Sequence, residues 1–72
     1  MYNGLLMDIM LNGKPHTVDD SITVEQLLES LLPPGRRVAV EVNEVIVPRT
    51  LHQQRSLSPG DRVEVVQAIG GG

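Results

Sequence analysis

The spacing of apolar positions changes period several times along the chain. Met7, Ile9 and Leu11 alternate with Asp8 and Met10, the two-residue period of a strand. Asn12-Gly13 follows, and because both positions tolerate positive φ the pair predicts a tight hairpin. The next extended run, Lys14 to Val18, contains Pro15. Proline has no N–H to give a ladder, so this strand belongs at a sheet edge. After the Asp19-Asp20-Ser21 turn cluster the period becomes helical. Thr23 and Gln26 have the spacing of a capping box, with Ile22 and Leu27 at the positions of a hydrophobic staple. Val24, Leu27, Leu28, Leu31 and Leu32 form one core-facing stripe. Pro33-Pro34-Gly35 ends the helix, since Pro33 disfavours helical geometry at Leu32.

Strand periodicity then returns. Val38, Val40 and Val42 share one side of a run from Arg37 to Val42, and after Asn43-Glu44 a short run from Val45 to Val47 stops at Pro48. Thr50 to Leu57 reads as a polar connector, anchored by Leu51 and Leu57 and long enough for one helical turn at most. Ser58-Pro59-Gly60-Asp61 is a turn, and Arg62 to Ala68 is the last strand. The predicted string is strand, hairpin, helix, strand, short strand, connector, strand. Its simplest packing is an α+β fold, one sheet covered on one face by one helix.

Composition narrows the function more than the fold. At 72 residues there is room for a single small domain. Tyr2 is the only aromatic residue, so the core is aliphatic. There is no cysteine, hence no disulfide framework, thiol nucleophile or thiolate zinc site, and a reducing cytoplasm is the expected location. No apolar run exceeds three residues, whereas a membrane helix needs roughly 20, so no membrane association is expected. Six basic residues against nine acidic ones give a formal charge of −3, which opposes nucleic-acid binding because that affinity comes mainly from neutralising phosphates.

Conventional catalysis has little material. His16 and His52 are the only imidazoles, one on the presumed edge strand and one in the connector, and both read as solvated side chains rather than general bases or metal ligands. Asp19 and Asp20 precede the helix, where carboxylates suit the positive end of its dipole. The chain is therefore not expected to be an enzyme, to bind a metal or to hold a cofactor.

The terminal Gly70-Gly71-Gly72 is the exception. Glycines add nothing to a core and carry a high ordering entropy. No helix follows that would make the run a phosphate loop. A loose end without a role fits the spacing, and so does a flexible probe whose Gly72 carboxylate reacts. Without Cβ atoms, an extended backbone can enter a narrow enzyme cleft and leave its terminal carbonyl open from either side. Three residues reach only roughly 10 Å, so the folded body must dock beside the partner's active site. A free carboxylate is a poor acyl donor, and activation as an acyl-adenylate is the expected first step. The tail is then a substrate and not a catalyst.

The order of elements, Ile9-Met10-Leu11-Asn12-Gly13, Asn43-Glu44-Val45-Ile46-Val47-Pro48-Arg49, Leu57-Ser58-Pro59-Gly60-Asp61-Arg62-Val63 and Ala68-Ile69-Gly70-Gly71-Gly72 together resemble the ubiquitin-like β-grasp sulfur carriers. The resemblance is strongest to the ThiS type of thiamine biosynthesis. It implies a β-grasp fold, a mixed sheet of four to five strands on one helix, with the first and last strands central and parallel. It also implies that a ThiF-like, E1-type adenylyltransferase uses ATP and magnesium to adenylate Gly72. Sulfur drawn from cysteine by a desulfurase or another donor then makes a C-terminal thiocarboxylate, which passes sulfur to the thiazole synthase ThiG. By the same pattern Gly71 enters the enzyme channel with Gly72, and Gly70 matches a third glycine that only some members have.

The expected organisation is an N-terminal extension over residues 1–6, flexible or left by expression, a β-grasp domain over 7–69, and a flexible glycine tail over 70–72. Leu5 and Leu6 are also able to lengthen the first strand. The uncovered sheet face, with alternate side chains of the third, fourth and fifth strands, is the expected docking surface. One alternative is the small subunit of molybdopterin synthase, against which Gln67-Ala68-Ile69 and the lack of Phe argue; another is the sulfur carrier of a different pathway, which shares the architecture. A β-grasp interaction module with an idle tail is the alternative of a different class.

Overall fold

A computed structural model of the chain describes residues 5–67. It contains β1 (Leu6–Leu11), β2 (Lys14–Asp19), α1 (Val24–Leu31), β3 (Val38–Val42), β4 (Val45–Ile46), a 3₁₀ turn (Arg49–Leu51) and β5 (Arg62–Gln67). The five strands form one sheet in the order β2-β1-β5-β3-β4. β1 and β5 lie side by side and parallel, and the other neighbours are antiparallel. This is the expected α+β arrangement, five strands and one helix, with the first and last strands central.

Local chemistry explains most of these elements. Asn12 (φ 49) and Gly13 (φ 81) both have positive φ, the requirement of a type I′ turn, whose twist suits a two-residue hairpin. Asn43 (φ 53) and Glu44 (φ 70) repeat that geometry between β3 and β4. The capping box at the start of α1 is complete: the Gln26 N–H donates to Thr23 Oγ1 at 3.1 Å, and the Thr23 N–H donates to Gln26 Oε1 at 3.0 Å. β2, the strand with Pro15, is an edge strand as its missing donor requires.

The core lies between α1 and one sheet face. Met7 and Ile9 of β1, Val18 of β2, Val40 and Val42 of β3 and Val63 of β5 meet Val24 and Leu27 of the helix, with Val47 and Leu57 closing the sides. β1 begins at Leu6, one of the two residues read as able to lengthen the first strand. Two details differ from the sequence reading. Leu31, placed in the core stripe, is 36% exposed at the end of the helix, where only the first turns sit over the buried sheet residues. Leu51, expected as an anchor of the connector, is 44% exposed, and its neighbour His52 is buried instead.

Candidate functional site

Residues 68–72, and with them Gly70, Gly71 and Gly72, lie outside the described residues. What the structure does define is the strand that carries them. β5 runs between β1 and β3 and is paired on both sides, with Gln67 opposite Val38 in β3. Two asparagine side chains also hold its backbone. From the β1–β2 turn, Asn12 Oδ1 accepts the Val65 N–H at 2.8 Å, and its Nδ2 donates to Val65 O at 3.4 Å. From the β3–β4 turn, Asn43 Oδ1 accepts the Arg62 N–H at 2.9 Å, while its Nδ2 donates to Asp61 Oδ1 at 3.0 Å. Asp61 Oδ2 in turn accepts the Ser58 N–H at 2.8 Å, closing the turn before β5. Sequence reasoning identifies Asn12 as a turn former and Asn43 only as part of the break between two strand runs. The one signal in the sequence is that an asparagine stands at the start of each break.

Residues opposite one another in the ladder share a face. The face away from α1 therefore carries Leu6, Asp8 and Met10 from β1, Arg62, Glu64 and Val66 from β5, Ala39 and Glu41 from β3 and Ile46 from β4. Val66 is 61% exposed and Ile46 67%. Glu41 stands directly opposite Glu64, a like-charge pair that destabilises an isolated sheet. Among the described residues neither forms an ion pair; the only salt bridge joins Arg62 to Glu44 at 3.9 Å, across exposed side chains. The open face thus combines uncovered apolar groups with acidic side chains, Asp8, Glu41 and Glu64, that outnumber Arg62.

The two histidines part company. His16, opposite Ile9, is half-buried at the β2 edge on the helix side. His52, expected in solvent, is 6% exposed, and its Nε2 lies 3.0 Å from Val47 O. The 3₁₀ turn explains the correction: with Leu51 outside, the next position points inward against Val47. Among the described residues no three His, Asp or Glu side chains gather as a metal site. A hollow of about 1080 Å³ beside the C-terminal half of α1 mixes Glu25 and Glu29 with Arg36, Arg37 and Arg49 and brings no expected site residues together. No helix among the described residues is long and apolar enough to cross a membrane.

The mixed sheet gripping one helix, with its central β5 leading to a glycine terminus, defines a ubiquitin-like β-grasp protein. The ThiS family model matches residues 2–72, and the chain belongs to that family of sulfur carriers. It is 33% identical to the sulfur carrier protein ThiS of Escherichia coli, over 92% of this chain and 100% of that one. It is also 42% identical to a thiazole synthase of Paramagnetospirillum magneticum, over 92% of this chain and 20% of that protein. The chain thus spans about a fifth of the length of that larger relative. Among solved structures, the thiamine biosynthesis protein ThiS of Geobacter metallireducens superposes with a TM-score of 0.79 at 36% identity, covering 92% of this chain and 100% of that one.

Proposed function

We propose that the chain carries sulfur on the carboxylate of Gly72 for thiazole formation in thiamine biosynthesis. The observation that carries this reading is the joining of the glycine terminus to the central strand β5, in a chain whose family is ThiS. A carboxylate oxygen of Gly72 attacks the α-phosphorus of ATP on an E1-type, ThiF-like adenylyltransferase. Pyrophosphate leaves and an acyl-adenylate forms, with magnesium bound by the partner. Sulfur taken from cysteine by a desulfurase arrives as a persulfide, whose outer sulfur attacks the acyl carbon and expels AMP; a thiol then cleaves the acyl disulfide reductively, itself becoming a disulfide and leaving the thiocarboxylate. This soft anionic sulfur nucleophile is delivered to thiazole synthase. ATP and magnesium belong to the activating enzyme, the carrier has no cofactor or catalytic residue of its own, and the exchange takes place in the cytoplasm. The identity shared with a larger thiazole synthase supports that enzyme as the recipient.

Gly71 and Gly70 serve as a slim stem that follows Gly72 into the enzyme channel, and the body docks through the open sheet face. Exposed Ile46 and Val66 supply apolar contact there, while Asp8, Glu41 and Glu64 favour a partner surface with basic groups. Intact-mass measurement tests the reading. After incubation with ATP, magnesium, the activating enzyme and sulfide, the chain gains the mass difference between sulfur and oxygen, and a chain lacking Gly72 gains nothing. An unchanged mass in the full chain overturns the proposal.

A further inference from the structure

The side chain of Asn12 does more than form a turn. β1 feeds the β1–β5 ladder through the Met10 N–H to Asp61 O at 2.9 Å and the Asn12 N–H to Val63 O at 2.8 Å. The next donor in that series belongs two residues further on, but at Gly13 the chain turns away into β2. Val65 would therefore lose its neighbour on the β1 side. The Asn12 amide fills that place, accepting from Val65 N–H and donating to Val65 O as a backbone peptide group would. Its left-handed backbone (φ 49) aims the amide at β5, and asparagine is among the few residues that adopt this conformation readily.

We infer that Asn12 is a positioning residue for the terminal glycines. This inference rests on the carrier reading. By extending the ladder to Val65, Asn12 holds β5 on both sides until two residues before the end of the described strand, and so fixes where and in which direction the tail leaves the body. Five residues follow Gln67, with an extended reach of roughly 17 Å. When the body docks, the fraction of complexes whose Gly72 carboxylate lies against the α-phosphorus of ATP depends on how firmly the exit is held. Asn12 bonds the main chain of β5 at Val65 and no side chain of the open face.

Asn12→Gly isolates this role, because glycine at both turn positions suits a type I′ hairpin while the side-chain amide is removed. Amide exchange read by NMR should accelerate at Val65 and remain protected at Val63, inside the β1–β5 ladder. With the activating enzyme, kcat for ATP-dependent AMP transfer should fall roughly 3- to 10-fold, the scale of one or two lost hydrogen bonds, while the Kd for docking without ATP stays constant. Asn12→Asp keeps the 2.8 Å acceptor and tolerates positive φ but loses the donor to Val65 O, so its kcat should fall less than that of Asn12→Gly without reaching the unsubstituted value. Faster exchange at Val65 with unchanged kcat in N12G makes Asn12 a turn residue only and overturns the inference. Equal losses of kcat in N12G and N12D also overturn it, because the retained acceptor then has no effect. If the unsubstituted chain takes up no AMP, the carrier reading itself fails and this inference falls with it.

Discussion

His52 shows how a single side chain can matter to the body without entering the chemistry. Its Nε2 lies 3.0 Å from Val47 O, just after β4, and its own carbonyl accepts the Glu25 N–H at 3.0 Å in the first turn of α1. The residue therefore fastens the connector to both the sheet and the helix. Replacing it with alanine keeps the second bond and removes the first, leaving a cavity and an unpaired carbonyl inside. The expected loss is about 1–3 kcal/mol, the usual effect of orphaning a buried polar group. Urea denaturation checks this, and a loss below about 0.5 kcal/mol would mean that water replaces the ring at Val47. Sulfur loading at a temperature where the variant is fully folded should be unchanged, because His52 lies in the connector and not on the open face or β5.

At the scale of elements, the two type I′ turns are alike in backbone and unlike in sequence. Asn12-Gly13 uses the residues that this turn favours, whereas the second turn places Glu44 at φ 70, a conformation that costs a residue with a Cβ roughly 1–2 kcal/mol. Glycine removes that strain but adds about 0.5–1 kcal/mol of unfolded-state entropy, and the 3.9 Å contact to Arg62 across exposed side chains has little to lose. Glu44→Gly should therefore stabilise the protein by about 0.5–1 kcal/mol, read as a higher denaturation midpoint with unchanged m; a lower midpoint would show that Glu44 makes contacts worth more than its strain. Elements of this kind are legible in the sequence because their signals are local. Asn12-Gly13, the Thr23–Gln26 capping box and the edge-strand proline each specify a conformation within a few residues. His52 is not legible, since its burial depends on a 3₁₀ turn that puts Leu51 outside. Nor are the asparagine bonds to β5: Asn12 and Val65 are 53 positions apart, and no local period reports such a contact. The glycine terminus stands out in composition rather than in geometry.

For the molecule as a whole, the open sheet face and the strand exit should have separable effects on the proposed transfer. Docking should be limited by the face, where Val66 and Ile46 are uncovered and Glu41 faces Glu64 with no ion pair to either among the described residues. Placing Asp at Val66 puts a further carboxylate beside Ala39, at an exposed site where substitutions usually change stability by less than about 0.5 kcal/mol. In an interface the same carboxylate has to be desolvated, and replacing a central apolar group in this way commonly weakens binding by about 2 kcal/mol, or roughly 30-fold. Val66→Asp should therefore raise KM for the activating enzyme by about that factor with the thermal midpoint nearly unchanged. Ile46→Asp, at the far edge on β4, should act in the same direction from a site remote from the tail. Added salt should raise KM for the unsubstituted chain as well, since the acidic groups of the face are screened at a Debye length of about 10 Å in 0.1 M salt. Asn12→Gly is expected to lower kcat and leave docking alone, so the two kinds of variant move different constants. If Val66→Asp and Ile46→Asp both leave KM where it was, the partner approaches another face, and the acidic open sheet must be explained without it.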